Sequence, residues 1–144
     1  MSLARLLILT AGALLLAPPS HAAEAALAWS ADDPRLVWGP CPPFLPKGCA
    51  VAVLHGDPAK PNVDIFFKVP AGAVVPHHWH TSAERITMIA GEIQVSYDGQ
   101  PAMTLRPGMY AYGPPKLPHS AKCGEAGPCV LFIAFEAPLD AHPD

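Results

Sequence analysis

Proline and glycine decide what this chain can fold into. Nineteen prolines and eleven glycines are spread through its 144 residues. Proline blocks helix interiors and both residues punctuate turns, so long helices have nowhere to sit. The apolar residues collect instead in short runs: Ala50 to Leu54, Val63 to Val69, Arg85 to Ala90, Glu92 to Tyr97, Met103 to Leu105, Met109 to Tyr112 and Val130 to Glu136. Each has strand length and β-branched or aromatic content. The separators are turn signals such as His-Gly-Asp-Pro at 55–58, Ala-Gly at 90–91, Tyr-Asp-Gly at 97–99 and Arg-Pro-Gly at 106–108. The pattern predicts one all-β domain, a sandwich or barrel. Val63, Ile65, Phe67 and Val69 alternate as a two-faced strand, whereas Val130 to Phe135 is apolar throughout and predicts a strand covered on both sides.

The first 22 residues read as an export signal. Arg5 supplies a positive start, Leu6 to Ala17 is an apolar run, and small residues precede the cut expected after Ala22. That run is shorter than the roughly twenty residues a spanning helix needs. The expected organisation is a signal over 1–22, an N-terminal arm over 23–50, a barrel over 51–137 and a tail over 138–144, with the product periplasmic or secreted and free of the membrane once cleaved. Trp29, Trp38 and Phe44 in the arm either cap the core or lie across the barrel as a lid or edge strand. The formal charge of the whole chain is −3. With no basic patch to hold phosphates, nucleic acid is excluded as a partner, and a small molecule is expected instead.

Cysteine usage agrees with export. Cys41, Cys49, Cys123 and Cys129 are four in number, and an even count in an exported domain suggests disulfides. Three pairings are open. The local one, Cys41 with Cys49 and Cys123 with Cys129, is preferred because each partner is a short reach away. A four-cysteine zinc site suits these spacings poorly.

The densest chemistry lies between Gly72 and Gly91. On a strand, His78 and His80 share one face while His77 and Trp79 turn away, and Glu84 opens the next strand after a short bend. Two imidazoles and a carboxylate suit a borderline divalent ion such as Fe, Mn, Ni, Cu or Zn. Taken alone, a His-x-His pair is also what a solvated polar loop contains.

The frame around the pair resembles the first motif of the cupin superfamily, G-x5-H-x-H-x3-E-x6-G, which Gly72, His78, His80, Glu84 and Gly91 fill at every position. The second motif, G-x5-P-x-G-x2-H-x3-N, is matched in part by Gly108, Pro114 and His119, with Lys116 in place of its glycine and Cys123 in place of its asparagine. The resemblance spans about Val51 to Phe135. It implies an antiparallel double-stranded β-helix (a jelly-roll barrel) holding one divalent transition-metal ion through His78, His80, Glu84 and His119. Lysine tolerates a positive φ poorly, so Lys116 marks the turn before His119 as unusual, and a disulfide from Cys123 would tie that turn.

Four protein ligands on a six-coordinate ion leave two positions for a substrate, or for a substrate atom and O2. The expected activity is an oxidoreductase of dioxygenase type on a small organic substrate. The alternatives are Lewis-acid isomerase, lyase or hydrolase chemistry on a sugar acid or similar molecule, and a non-catalytic container for a metal or small ligand. Glu84 is expected to act as ligand or, off the metal, as base. Met88 shares parity with Glu84 and is expected in the pocket, and Tyr110 and Tyr112 are expected at its mouth or as ordinary barrel packing. Arg85 should point outward, and His55 is a turn residue. A homodimer is the default assembly, since sheet edges need cover.

Overall fold

The computed structural model describes residues 24–144, so the expected signal, Met1 to Ala22, lies outside the described residues. Among the described residues eleven strands run in chain order: β1 (Trp38–Pro40), β2 (Ala50–His55), β3 (Val63–Val69), β4 (Val74–Trp79), β5 (Glu84–Ala90), β6 (Ile93–Tyr97), β7 (Met103–Leu105), β8 (Tyr110–Gly113), β9 (His119–Cys123), β10 (Cys129–Phe135) and β11 (His142–Pro143). They form two antiparallel sheets. One has the order β1-β2-β3-β10-β5-β8, the other β11-β4-β9-β6-β7. Inward-facing residues of both sheets make one core, including Val63, Ile65, Val95, Leu131 and Ile133. This is the packing of two sheets face to face.

The expected runs survive almost unchanged, and the reason is alternation. In β3, Val63, Ile65 and Val69 are buried as a two-faced strand requires. The central strand β10 pairs with β3 on one side and β5 on the other. Its outer face is covered in turn, since Phe132 and Phe66 share a groove with Leu27 and Trp29 of the arm. The Trp29 indole N–H donates to the Leu54 carbonyl at 3.1 Å, holding the arm against the edge of the sheet.

Two disulfides are present, Cys41–Cys49 and Cys123–Cys129. The local pairing expected from spacing is the one observed. The second joins the end of β9 to the start of β10, across the turn between the two sheets.

Three short strands escape a reading by hydropathy. β1 and β11 each contain a proline and sit at sheet edges, where a missing N–H breaks no ladder. β9 is polar in sequence, His-Ser-Ala-Lys-Cys, yet lies inside the five-stranded sheet.

Candidate metal centre

A β-bulge aims the first histidine. In β4, Val75 pairs with Ala121 while His78 pairs with His119, so β4 carries one residue more than β9 between those points. A bulge reverses the side-chain parity of the residues beyond it. Val75 and His78, three residues apart, are therefore both buried, and the alternation then carries His80 inward as well. Without the extra residue, His77 would take the inward place. Instead His77 turns outward and is half-buried, its Nδ1 2.9 Å from Asp144 Oδ2 and its Nε2 2.8 Å from Asp98 Oδ1.

Glu84 arrives from the other sheet as the first residue of β5, between Gly113 of β8 and Phe135 of β10. His119 opens β9 opposite both His78 and Tyr97. His78, His80, Glu84 and His119 are all less than a tenth exposed. The three histidines offer ring nitrogens that lie within 4.8 Å of one another. Glu84 Oε1 is 3.5 Å from His80 Nε2, and Oε2 is 3.5 Å from His119 Nε2.

The rings are held in one tautomer. His78 Nδ1 lies 2.7 Å from the Pro76 carbonyl, His80 Nδ1 2.5 Å from the Asp140 carbonyl and His119 Nδ1 3.3 Å from the Leu117 carbonyl. A carbonyl only accepts, so each Nδ1 carries the proton and each Nε2 turns a lone pair toward the common centre. Burial pushes His78 down to about 4 and His119 down to about 3, and it lowers His80 as well. The imidazoles are therefore neutral at ordinary pH. Burial also pushes Glu84 up to about 8, so in the metal-free protein it holds its proton and makes no ion pair with its histidine neighbours. Three neutral nitrogen donors beside a carboxyl, each fixed from behind by the main chain, fit a borderline divalent ion.

The centre opens into a cavity of about 330 Å³ between the sheets. Its wall is mostly apolar, and it includes Pro40, Pro42 and Leu45 from the arm and Leu139, Asp140 and Ala141 from the tail. The Phe44 ring lies 6.1 Å from that of His78. Trp38 lies in edge strand β1, and Pro40, Pro42 and Leu45 just after it line the cavity.

The remaining expected pocket residues lie elsewhere. Tyr110 and Tyr112 share one parity, as expected, but they are 62% and 48% exposed and do not line the cavity. The pairing of Gly113 with inward-facing Glu84 decides this, since it places Ala111 and Gly113 inside and both tyrosines outside. Met88 does face inward but is sealed in the core, outside the cavity lining. Arg85 points outward, as expected, onto Glu136.

Two residues that the sequence reading passed over belong to the site. Tyr97 ends the inward series Ile93, Val95, Tyr97 of β6, and its ring centroid is 4.9 Å from that of His119. Burial, and after it the charge of Glu84, push its phenol well above the ordinary value. Gly113 makes the room: a Cβ there would come within 2.6 Å of the Tyr97 hydroxyl and 3.0 Å of Glu84 Oε2. The inward parity of Tyr97 was the available signal for the first; nothing in the sequence marks the second.

Residues 65–135 match the family described as Cupin domain. The curated dimethylsulfoniopropionate lyase DddQ of Ruegeria pomeroyi is 28% identical over 75 residues, which is 52% of this chain and 37% of that protein. The crystal structure of the same lyase superposes with a TM-score of 0.65 at 21% identity, over 75% of this chain and 60% of that one. A mutant of the Bacillus subtilis oxalate decarboxylase OxdC gives 0.59 at 22% identity, over 69% and 28%. The polyketide cyclase RemF from Streptomyces resistomycificus gives 0.57 at 22% identity, over 67% and 71%. The chain thus spans less than two thirds of the length of DddQ and of the decarboxylase, and at these identities the structural likenesses speak for the fold alone.

Proposed function

Because this chain is a member of the cupin superfamily, we propose that it is an exported metal-dependent enzyme acting on a small organic molecule. In this reading His78, His80, His119 and Glu84 hold one divalent transition-metal ion. The observation that carries the reading is the convergence of three imidazole Nε2 atoms, each with its Nδ1–H tied to a main-chain carbonyl, at the wall of an apolar cavity. A bound ion would supply Lewis-acid polarisation of a ligating oxygen and, if redox-active, a route for electrons to O2. The chain's own part is to exclude water with the arm and tail, to keep the imidazoles neutral, and to carry a proton on Glu84.

Lyase chemistry is the first assignment, supported by the match to a dimethylsulfoniopropionate lyase and by a buried carboxyl that can give or take a proton without a second cofactor. Oxygen-dependent chemistry is the second, supported by the donor set, which suits Fe, Mn or Cu as well as Zn. Export is supported by the two disulfides, which persist in oxidising compartments.

The test is elemental analysis of the purified protein, followed by turnover with and without O2. The panel is dimethylsulfoniopropionate, oxalate, β-diketones, catechols and flavonols. The wild type should retain about one ion per chain, and His78→Ala and His119→Ala should lose it. Undiminished metal in both variants would sink the assignment. Turnover without O2 supports the lyase reading, and strict dependence on O2 replaces it with the second.

A further inference from the structure

Pro40 and Pro42 are the exposed members of the cavity lining, and its other residues are buried or half-buried. A residue that lines a cavity and also meets bulk water stands where the two join. These two prolines flank Cys41, so the cavity reaches solvent beside the Cys41–Cys49 bridge.

The bridge holds what hydrogen bonds do not. Pro40 and Ala50 form the last rung of the β1–β2 ladder, and Cys41 and Cys49 stand one rung further on in the same register. Pro40, Pro42 and Pro43 have no N–H to give to a neighbouring strand. The loop bonds to itself, from the Leu45 N–H to the Pro42 carbonyl at 3.0 Å and from the Cys49 N–H to the Pro46 carbonyl at 3.1 Å. Among the described residues, no main-chain hydrogen bond ties residues 42–48 to the barrel. The tail is fixed differently, with the Leu139 N–H on the Pro58 carbonyl at 2.9 Å, the Thr81 N–H on Asp140 at 2.9 Å and β11 paired to β4. Beyond the bridge, the loop is kept in place by Leu45 packed on the core and Phe44 beside His78.

The two disulfides differ in access. Cys123 and Cys129 are both 0% exposed, whereas Cys41 is half-buried between exposed prolines. Thiol–disulfide exchange requires a thiolate to reach a sulfur of the bridge. We propose that Cys41–Cys49 is a site of exchange with an external dithiol, and that its reduction releases the 41–49 loop and opens the cavity to solvent. One thiolate of the dithiol attacks Cys41 Sγ, the S–S bond breaks, and Cys49 leaves as a thiolate that takes up a proton. The second thiol then displaces Cys41 from the mixed disulfide. The dithiol is oxidised to its disulfide, the bridge is reduced to two thiols, and two protons pass from one pair to the other. Cys123–Cys129 stays closed throughout.

The purified protein is titrated with dithiothreitol, trapped with iodoacetamide and mapped by peptide mass. Cys41 and Cys49 should be alkylated at a dithiol concentration roughly tenfold below that needed for Cys123 and Cys129. Protein alkylated at Cys41 and Cys49 alone is then treated with chelator and diethyl pyrocarbonate, beside oxidised protein handled in the same way. Chelation leaves the imidazoles free to react whatever occupies the centre. His78, His80 and His119 should be modified roughly tenfold faster once the loop is released, with little change at His77 and His142 on the outside. Amide exchange should quicken across residues 41–49 and hold steady in β3 and β10. Joint reduction of the two bridges, earlier reduction of Cys123–Cys129, or equal modification of the cluster in both forms would each overturn the proposal. Quickened exchange in β3 and β10 would overturn it too, by showing a general loosening. The proposal needs the cavity and not the ion: metal retained by His78→Ala and His119→Ala would sink the functional reading and leave this one standing.

Discussion

At the scale of single residues, Lys116 tells most. The second motif has glycine there, and this chain keeps the glycine backbone with a lysine side chain, at φ +60°. That conformation lets the Lys116 N–H reach the His80 carbonyl at 2.8 Å, so the turn before His119 also braces the loop of a second candidate ligand. An L-residue in this region pays a steric penalty that glycine avoids, partly offset by the greater chain entropy of glycine when unfolded. Lys116→Gly should therefore raise stability by about 0.5–1 kcal/mol, seen as a higher urea midpoint at unchanged slope. A lower midpoint would mean that the lysine side chain holds the turn in some other way. The four candidate ligands were legible in the sequence because a motif fixes their spacing. Tyr97 was not, because a tyrosine ending an apolar strand looks like any other core aromatic until its hydroxyl is found without a partner.

At the scale of strands, legibility followed periodicity. β3, β5 and β6 announce themselves by alternation between turn signals, and the inner faces of β3 and β5 were assigned correctly. β8 was found but placed with the wrong face inward. Its four residues alternate, and only its register against Glu84 says which set faces the core. The bulge in β4 had one signal that went unread, Pro76, because proline inside a non-edge strand is confined to bulges. The arm is tied by Cys41–Cys49, which closes a loop of sequence separation 8 that contains the cavity-lining Pro42 and Leu45. Replacing both cysteines by serine should cost about 2 kcal/mol in denaturant unfolding. It should also speed amide exchange across residues 38–45 more than in β3 or β10, whose ladders it does not touch. Uniform acceleration throughout the chain would show that the bridge serves the whole fold rather than the arm.

At the scale of the molecule, folding and the buried cluster are coupled through protons. The folded pKa of His78 and His119 lies below the ordinary 6.5, so between 6.5 and about 4 the unfolded chain binds protons that the folded one refuses. Stability of the metal-free protein therefore falls as pH drops through that window. Glu84 acts with the opposite sign: its folded value near 8 lies above the ordinary 4.5, so its stability contribution is full below 4.5 and lost as pH rises toward 8. Chelator-treated protein should accordingly be most stable in mildly acidic to neutral solution. An ion that binds ionised Glu84 and neutral imidazoles should raise the thermal midpoint more at pH 8 than at pH 6. Calorimetry with and without chelator at both values checks this, and an equal rise would remove Glu84 from the ligand set.

The tail carries a consequence of its own. His80 Nδ1 is held by the carbonyl of Asp140, and Leu139 and Ala141 flank that carbonyl on the cavity wall. Coupling of this kind is symmetrical: whatever occupies Nε2 of His80 is steadied by residues 139–141, and those residues are steadied to the same degree by the occupant. The last few residues are therefore a reporter as well as a support. Faster amide exchange at residues 139–141 in chelator-treated protein would report on occupancy of the proposed centre.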